Sequence, residues 1–165
     1  MTIFWLIIIF IAVSFFFVIF FGAPYLPILS KSSKEAIEIL KLKPNQTIID
    51  LGCGGGKLLR EAARNNLKAV GYELNPILFF IAYLSTRKWS KNTKVIYGNF
   101  WKKDLVKADA IFVFLLPKYM VKLDAKISDY RYKPVKLISY AFSIPDKKPK
   151  LSKNNLFVYE YTKHN

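Results

Sequence analysis

The sequence predicts an α/β fold: a mostly parallel sheet with helices on both faces, preceded by one N-terminal transmembrane helix. Three observations predict it. Strand and helix patterns alternate after residue 46, as parallel sheets with crossover helices require. A glycine-rich turn, Gly52-Cys53-Gly54-Gly55-Gly56, joins the first strand of that series to its helix. The run Ile3–Phe21 carries no charge, with Ser14 its one polar residue. The expected organisation is an anchor over 1–22, a linker and short helix over 23–45, and one α/β domain over 46–165.

Composition narrows the class. The 165 residues include 26 Lys+Arg against 11 Asp+Glu, a net charge of +15, with 53% apolar and 16% aromatic residues. Mean hydropathy is positive at +0.20. Such a chain is not intrinsically disordered. One cysteine, Cys53, excludes a disulfide framework and a cysteine-rich zinc site. The single histidine, His164, stands beside the C-terminus. The reading therefore expects no metal and no histidine base.

The 19 residues of the charge-free run would span roughly 28 Å as a helix, close to the hydrocarbon thickness of a bilayer. A signal peptide fits less well, because no basic residue precedes the run and Gly22-Ala23-Pro24-Tyr25 makes a poor cleavage site. Lys31, Lys34, Lys41 and Lys43 follow it, so the positive-inside rule puts the remainder of the chain in the cytoplasm.

Pro24-Tyr25-Leu26-Pro27 reads as a rigid exit from the membrane. Ser32 with Glu35 reads as a capping box for a helix ending before Pro44. Strands are expected at 47–51, 69–72, 94–97, 110–116, 135–142 and 156–161. Helices are expected at 57–66 and 118–130, and from Pro76 to Trp89 with Asn75 as cap. The apolar stretch 77–84 suits a buried helix or one resting on a membrane. Lys147, Lys148, Lys150 and Lys153 fall in a loop before the last strand.

The glycine turn does not suit phosphates. A P-loop ending at Gly56-Lys57 needs Gly at 51 and Ser or Thr at 58, and both are Leu. A dinucleotide fingerprint from Gly52 needs Gly or Ala at 57, which is Lys. What remains is Gly-x-Gly-x-Gly behind an acid. That pattern suits a ligand with an adenosyl group and no phosphates, and S-adenosylmethionine is one. Asp50 at the end of the first strand would orient its ammonium group. Glu73 ends the second strand, 17 positions after Gly56, and would accept both ribose hydroxyls. Cys53 and Gly55 read as turn filler.

These residues resemble a class I, seven-β-strand methyltransferase. More closely, the chain resembles a membrane-associated family of protein-lysine methyltransferases whose eukaryotic members modify the ATP synthase c-subunit and the adenine nucleotide translocase. The shared pieces are Ala23-Pro24-Tyr25-Leu26-Pro27, Asp50 to Gly56, Gly71-Tyr72-Glu73-Leu74-Asn75-Pro76, Phe100-Trp101-Lys102, Val113 to Pro117, and Ser143-Ile144-Pro145. The resemblance implies a Rossmann-like sheet of six or seven strands, mostly parallel with the last antiparallel. Six strands are visible. It implies a cofactor site of Asp50, Gly52, Gly54, Gly56, Glu73, Leu74, Asn99 and Phe100. Asn99 stands where the family carries an acid that meets the adenine amino group, and Ile28 stands where it carries Thr.

Methyl transfer from a sulfonium is an in-line displacement, so the enzyme supplies proximity and a water-poor site. Burial lowers the pKa of an acceptor lysine, which needs no strong base. Tyr25, Phe100, Trp101 and Tyr140 are candidates to line the acceptor mouth, where aromatic faces favour cationic methyl groups. Each also suits ordinary packing. Leu115-Leu116-Pro117-Lys118 lacks the Asn/Asp-Pro-Pro-aromatic piece of base-amine methyltransferases, and the lysines are scattered rather than striped. Anionic lipid explains the positive charge more simply than nucleic acid. The leading expectation is a lysine methyltransferase acting on a membrane protein. The alternatives are a lipid or quinone methyltransferase and a non-catalytic, cofactor-binding membrane scaffold.

Overall fold

The computed structural model describes residues 30–162 and, before them, residues 1, 3–6, 8–9 and 12–13. The exit linker, Tyr25 and Ile28 lie outside the described residues, as does most of the expected anchor. Among the described residues, no helix is long and apolar enough to cross a membrane.

Seven strands form one sheet in the order β3-β2-β1-β4-β5-β7-β6. They are β1 (Thr47–Leu51), β2 (Lys68–Glu73), β3 (Thr93–Tyr97), β4 (Ala110–Val113), β5 (Val135–Tyr140), β6 (Leu151–Lys153) and β7 (Leu156–Tyr161). The pairs among β1–β5 are parallel, and β7 runs antiparallel to both neighbours. The neighbouring strands β1 and β4 read as apolar runs because both faces of the sheet are covered there. The helices are α1 (Ser30–Leu40), α2 (Lys57–Arg64), α3 (Pro76–Thr86) and α4 (Met120–Ser128).

One face of the sheet packs Ile49, Leu51, Ile111, Val113 and Leu137 against Met120, Leu123 and Ile127 of α4. The other packs Ile48, Ala69, Ala110, Phe112 and Ile138 against α1 and α2, with Ala82 of α3. Asp109 fixes the start of the sheet: its carboxylate accepts from the Thr47 backbone N–H at 2.7 Å and from Gln46 Nε2 at 2.9 Å. The strand order reverses between β1 and β4, so the ligand crevice of such a fold lies at the carboxyl ends of these strands.

Several expectations need correction. Ser32 does not cap α1, because the helix already includes Ser30 and buries Ser32 within it. Lys153 is not in a loop. It ends β6, a short strand with every residue exposed, paired to β7 through a turn at Asn154-Asn155. Both asparagines have positive φ, the geometry of the tight turns that join twisted strands. The stretch 77–84 is not a helix buried on all sides. α3 fully buries only Leu78, Ala82 and Thr86 and turns Phe80, Ile81, Tyr83 and Leu84 outward.

Candidate active site

The site starts from the glycine turn. Gly52, Gly54 and Gly56 all have positive φ, at 85°, 52° and 75°. Side chains rarely adopt these angles, so glycine at alternate positions lets the chain fold back over β1. Backbone N–H groups of Gly52 and Cys53 both donate to the Tyr72 carbonyl, at 2.9 and 3.0 Å, which ties the turn to β2. A Cβ added to Gly52 would meet no atom within 4 Å. The turn therefore borders open space where backbone could meet a ligand.

Glu73 points into this turn. It is 6% exposed. Its Oε2 accepts from the Gly54 N–H and its Oε1 from the Asn75 N–H, each at 2.8 Å. Burial raises its pKa, and the backbone N–H donors pull it back. The Leu74 N–H is a third backbone donor to this carboxylate, and the lone-pair capacity left over is open to a ligand hydroxyl.

Asp50 stands beside it at the end of β1, 5% exposed. Burial, and then the charge of Glu73, push its pKa up to about 8. No hydrogen bond to its carboxyl is found among the described residues. A buried acid next to a second carboxylate is chemically suited to a cation.

Cys53 is not filler. A Cβ on Gly71 would sit 2.6 Å from Cys53 Sγ and 2.7 Å from Leu59 Cδ1. Cys53 thus packs against a strand position where only glycine fits. Burial raises its thiol pKa, so the group is inert. Gly55 is closer to filler by its backbone, but its carbonyl is used. It accepts from Arg60 Nη1 at 2.7 Å and from Ser85 Oγ at 2.9 Å, which fastens the turn to α2 and α3. The sequence reading missed Arg60 and Ser85. Their i, i+4 spacing from Gly56 and Ile81 carries no signal by itself.

Asn75 caps α3 as expected, its Oδ1 accepting from the N–H groups of Ile77 at 2.9 Å and Leu78 at 3.1 Å. Leu74, half-buried, links it to Glu73. Asn99 opens a short 3-10 turn, Phe100–Lys102, and its Oδ1 accepts from the Trp101 N–H at 3.0 Å.

The aromatic candidates separate. Phe100 is buried in the α4 face of the core, with Trp101 against it, ring centroids 4.6 Å apart. Trp101 continues to Tyr119 at 6.2 Å, which the sequence reading missed. Lys122 Nζ lies 4.8 Å from the centre of the Trp101 ring. Tyr140 instead packs on the opposite face of the sheet, edge-on to Phe114 at 4.9 Å. The structure therefore groups Phe100 and Trp101 but not Tyr140.

Comparison with known proteins agrees with this architecture. The model of the ANTKMT methyltransferase domain matches residues 50–151. A protein-lysine N-methyltransferase of Saccharolobus islandicus is 30% identical over 131 residues, covering 77% of this chain and 81% of that protein. An ATP synthase c-subunit lysine N-methyltransferase of Xenopus laevis is 27% identical over 127 residues, covering 74% of this chain but 55% of that protein. The chain thus spans only about half the length of this animal relative. Among solved structures, an RNA methyltransferase of Salinibacter ruber in complex with S-adenosyl-L-homocysteine superposes with a TM-score of 0.74 at 20% identity, covering 83% of this chain and 93% of that one. At that identity the likeness shows the fold. With its seven-stranded sheet, glycine turn and matched region, the chain belongs to the ANTKMT methyltransferase-domain family and is a methyltransferase.

Proposed function

We propose that this chain is an S-adenosylmethionine-dependent protein-lysine N-methyltransferase acting on a membrane protein at the cytoplasmic face. The buried Asp50 carboxyl beside Glu73 carries the cofactor part of the reading. Two buried acids at adjacent strand ends suit a ligand with an ammonium group and a diol, and the open space over Gly52 suits its close approach. Asp50 would hold the ammonium group. Glu73 would accept the ribose hydroxyls while its N–H bonds keep it in place. Asn99 would meet the adenine amino group. The bound donor supplies an electrophilic methyl group on a sulfonium.

The chain's own part is to position and desolvate. Phe100 and Trp101 form an apolar wall at the carboxyl edge of the sheet, where exclusion of water would favour the neutral form of an acceptor lysine. The lysine part rests on the names of the relatives. The membrane part rests on the charge-free run 3–21 and the basic residues after it. Ile3, Phe4, Trp5 and Leu6 are helical and exposed, as side chains meant for lipid would be.

Incubating membranes with the protein and methyl-labelled donor tests this. Label is expected in a small protein band, sensitive to Asp50→Asn. Label confined to the lipid extract would overturn the lysine reading in favour of a lipid or quinone acceptor. Cofactor binding with no transferred label would favour a scaffold.

A further inference from the structure

The free flank of α3 is unusual for a helix laid on a parallel sheet. Phe80, Ile81, Tyr83 and Leu84 are 58%, 46%, 54% and 49% exposed. They occupy one sector of the helix, opposite Leu78, Ala82 and Thr86, which face the protein. Tyr97, 50% exposed, extends the patch from β3, its ring 5.4 Å from Phe79. A contiguous apolar patch of this kind marks a contact surface.

The surrounding charge says what it contacts. From Leu74 to Lys103 the chain has six basic residues and no acid. Arg87, Lys88 and Lys91 follow the patch at the end of α3 and are exposed. Lys88 Nζ lies 5.8 Å from the centre of the Trp89 ring. Apolar side chains bordered by an aromatic ring and by cations, with no acid in this stretch and with Glu61 already paired to Arg64, whose guanidinium lies over the Trp89 ring, match the interface of an anionic bilayer. A protein partner buried here would need acids to match these cations, and a second copy of this chain brings another set of like charges to the same place.

We infer that the free flank of α3 rests on an anionic membrane surface, with Phe80, Tyr83 and Leu84 in the headgroup–acyl boundary and Arg87, Lys88 and Lys91 on the phosphates. The inference deepens the reading of a membrane-bound methyltransferase and rests on it. It also gives the site an orientation. The buried flank of the same helix holds the glycine turn, through Ser85 and through Ala82 and Thr86 against Gly56. A bilayer against α3 would hold the cofactor turn one helix diameter from the lipid, about 10 Å.

The test places nitroxide labels in the full chain at Phe80→Cys, Leu84→Cys and Val121→Cys, the last exposed on α4. The protein is reconstituted in vesicles of phosphatidylcholine with phosphatidylglycerol, and the unsubstituted chain, with Cys53 buried, serves as the labelling blank. Labels at 80 and 84 should collide with oxygen in preference to a water-soluble nickel chelate, and the label at 121 should do the reverse. Equal nickel access at all three positions would overturn the inference. So would dipolar broadening between labels at 84 on two copies, which would assign the patch to self-association. A Phe80→Asp/Leu84→Asp chain should lose tenfold or more methylation of membrane acceptors while keeping its affinity for S-adenosylhomocysteine within twofold. Unchanged methylation would also count against the inference. Failure of S-adenosylhomocysteine to bind the unsubstituted chain would instead sink the methyltransferase reading and leave the label depths interpretable.

Discussion

Replacing Asp50 by Asn should stabilise the ligand-free protein above neutral pH while removing its ability to hold the cofactor. The folded carboxyl titrates at about 8 against an ordinary value of 3.8. A group raised in this way favours the folded state fully below pH 4, and its contribution is lost as pH climbs towards 8. At pH 7 the unfolded chain ionises Asp50 about three pH units above its pKa, while the folded chain keeps the proton. At roughly 1.4 kcal/mol per unit, up to about 4 kcal/mol of stability disappears between pH 4 and 7. Asn has the same shape and no charge, so it escapes this loss. Urea unfolding at pH 5, 7 and 8 should show the two proteins diverging with pH, the variant ahead at pH 8. Titration with S-adenosylhomocysteine at pH 7 should release close to one proton from the unsubstituted chain, as the ligand's ammonium draws Asp50 into its charged form. The variant should bind at least tenfold more weakly and release none. Parallel stability profiles for the two proteins would refute the reasoning, because Asp50 would then carry no buried titration.

Glu73→Gln leaves one acceptor oxygen for the backbone donors Gly54, Leu74 and Asn75, so at least one buried N–H loses its partner. A destabilisation of about 1–3 kcal/mol in urea unfolding and a tenfold or greater loss of cofactor affinity are expected. Gly71→Ala forces a Cβ to within 2.6 Å of Cys53 Sγ. It should lower stability by about 1–3 kcal/mol, read as a fall in the thermal midpoint. Asn99→Asp keeps the cap on Trp101 and gives the adenine amino group a charged acceptor. Cofactor affinity measured by calorimetry should tighten several-fold, by about 1 kcal/mol.

Much of this was legible because the patterns were local. Asn75-Pro76 carries both a cap and a first-turn proline, and α3 starts there. The Asp50–Gly56 spacing is set by a turn whose alternate glycines need positive φ, so the turn itself could be read from a string. The β6 strand could not, since three exposed residues, Leu151-Ser152-Lys153, show no alternation of burial. The Asn154-Asn155 pair was the available sign of a hairpin. The partition of Phe100 and Trp101 from Tyr140 depends on which face of the sheet each side chain takes, and that follows from register and crossover rather than from residue type. The outward flank of α3 was left open between a buried helix and one resting on a membrane for a related reason. Hydropathy reports how apolar a helix is, not how much of its circumference the sheet can cover.

That outward flank and the site are not independent, because one helix serves both. The Asn75 N–H donates to Glu73, and the Asn75 side chain holds the first turn of α3. Ten residues on, Ser85 Oγ donates to the Gly55 carbonyl, and Arg60 Nη1 meets Ser85 Oγ at 2.5 Å as well as that same carbonyl. The cofactor turn is therefore clamped at both ends of α3, once through an acid and once through a hydroxyl. A force that tilts the helix would move Glu73 and Gly55 together rather than open the turn between them. A helix fixed in this way can press its free flank against a surface without disturbing the geometry that Asp50 and Glu73 present. The charges divide along the same line. Glu73 and Asp50 are buried on the inner side, while Arg87, Lys88 and Lys91 are exposed with no acid between them and Lys103. Reversing those outward cations to Glu would leave the clamp intact and remove the attraction to anionic lipid, so cofactor affinity should hold while turnover on membrane acceptors falls.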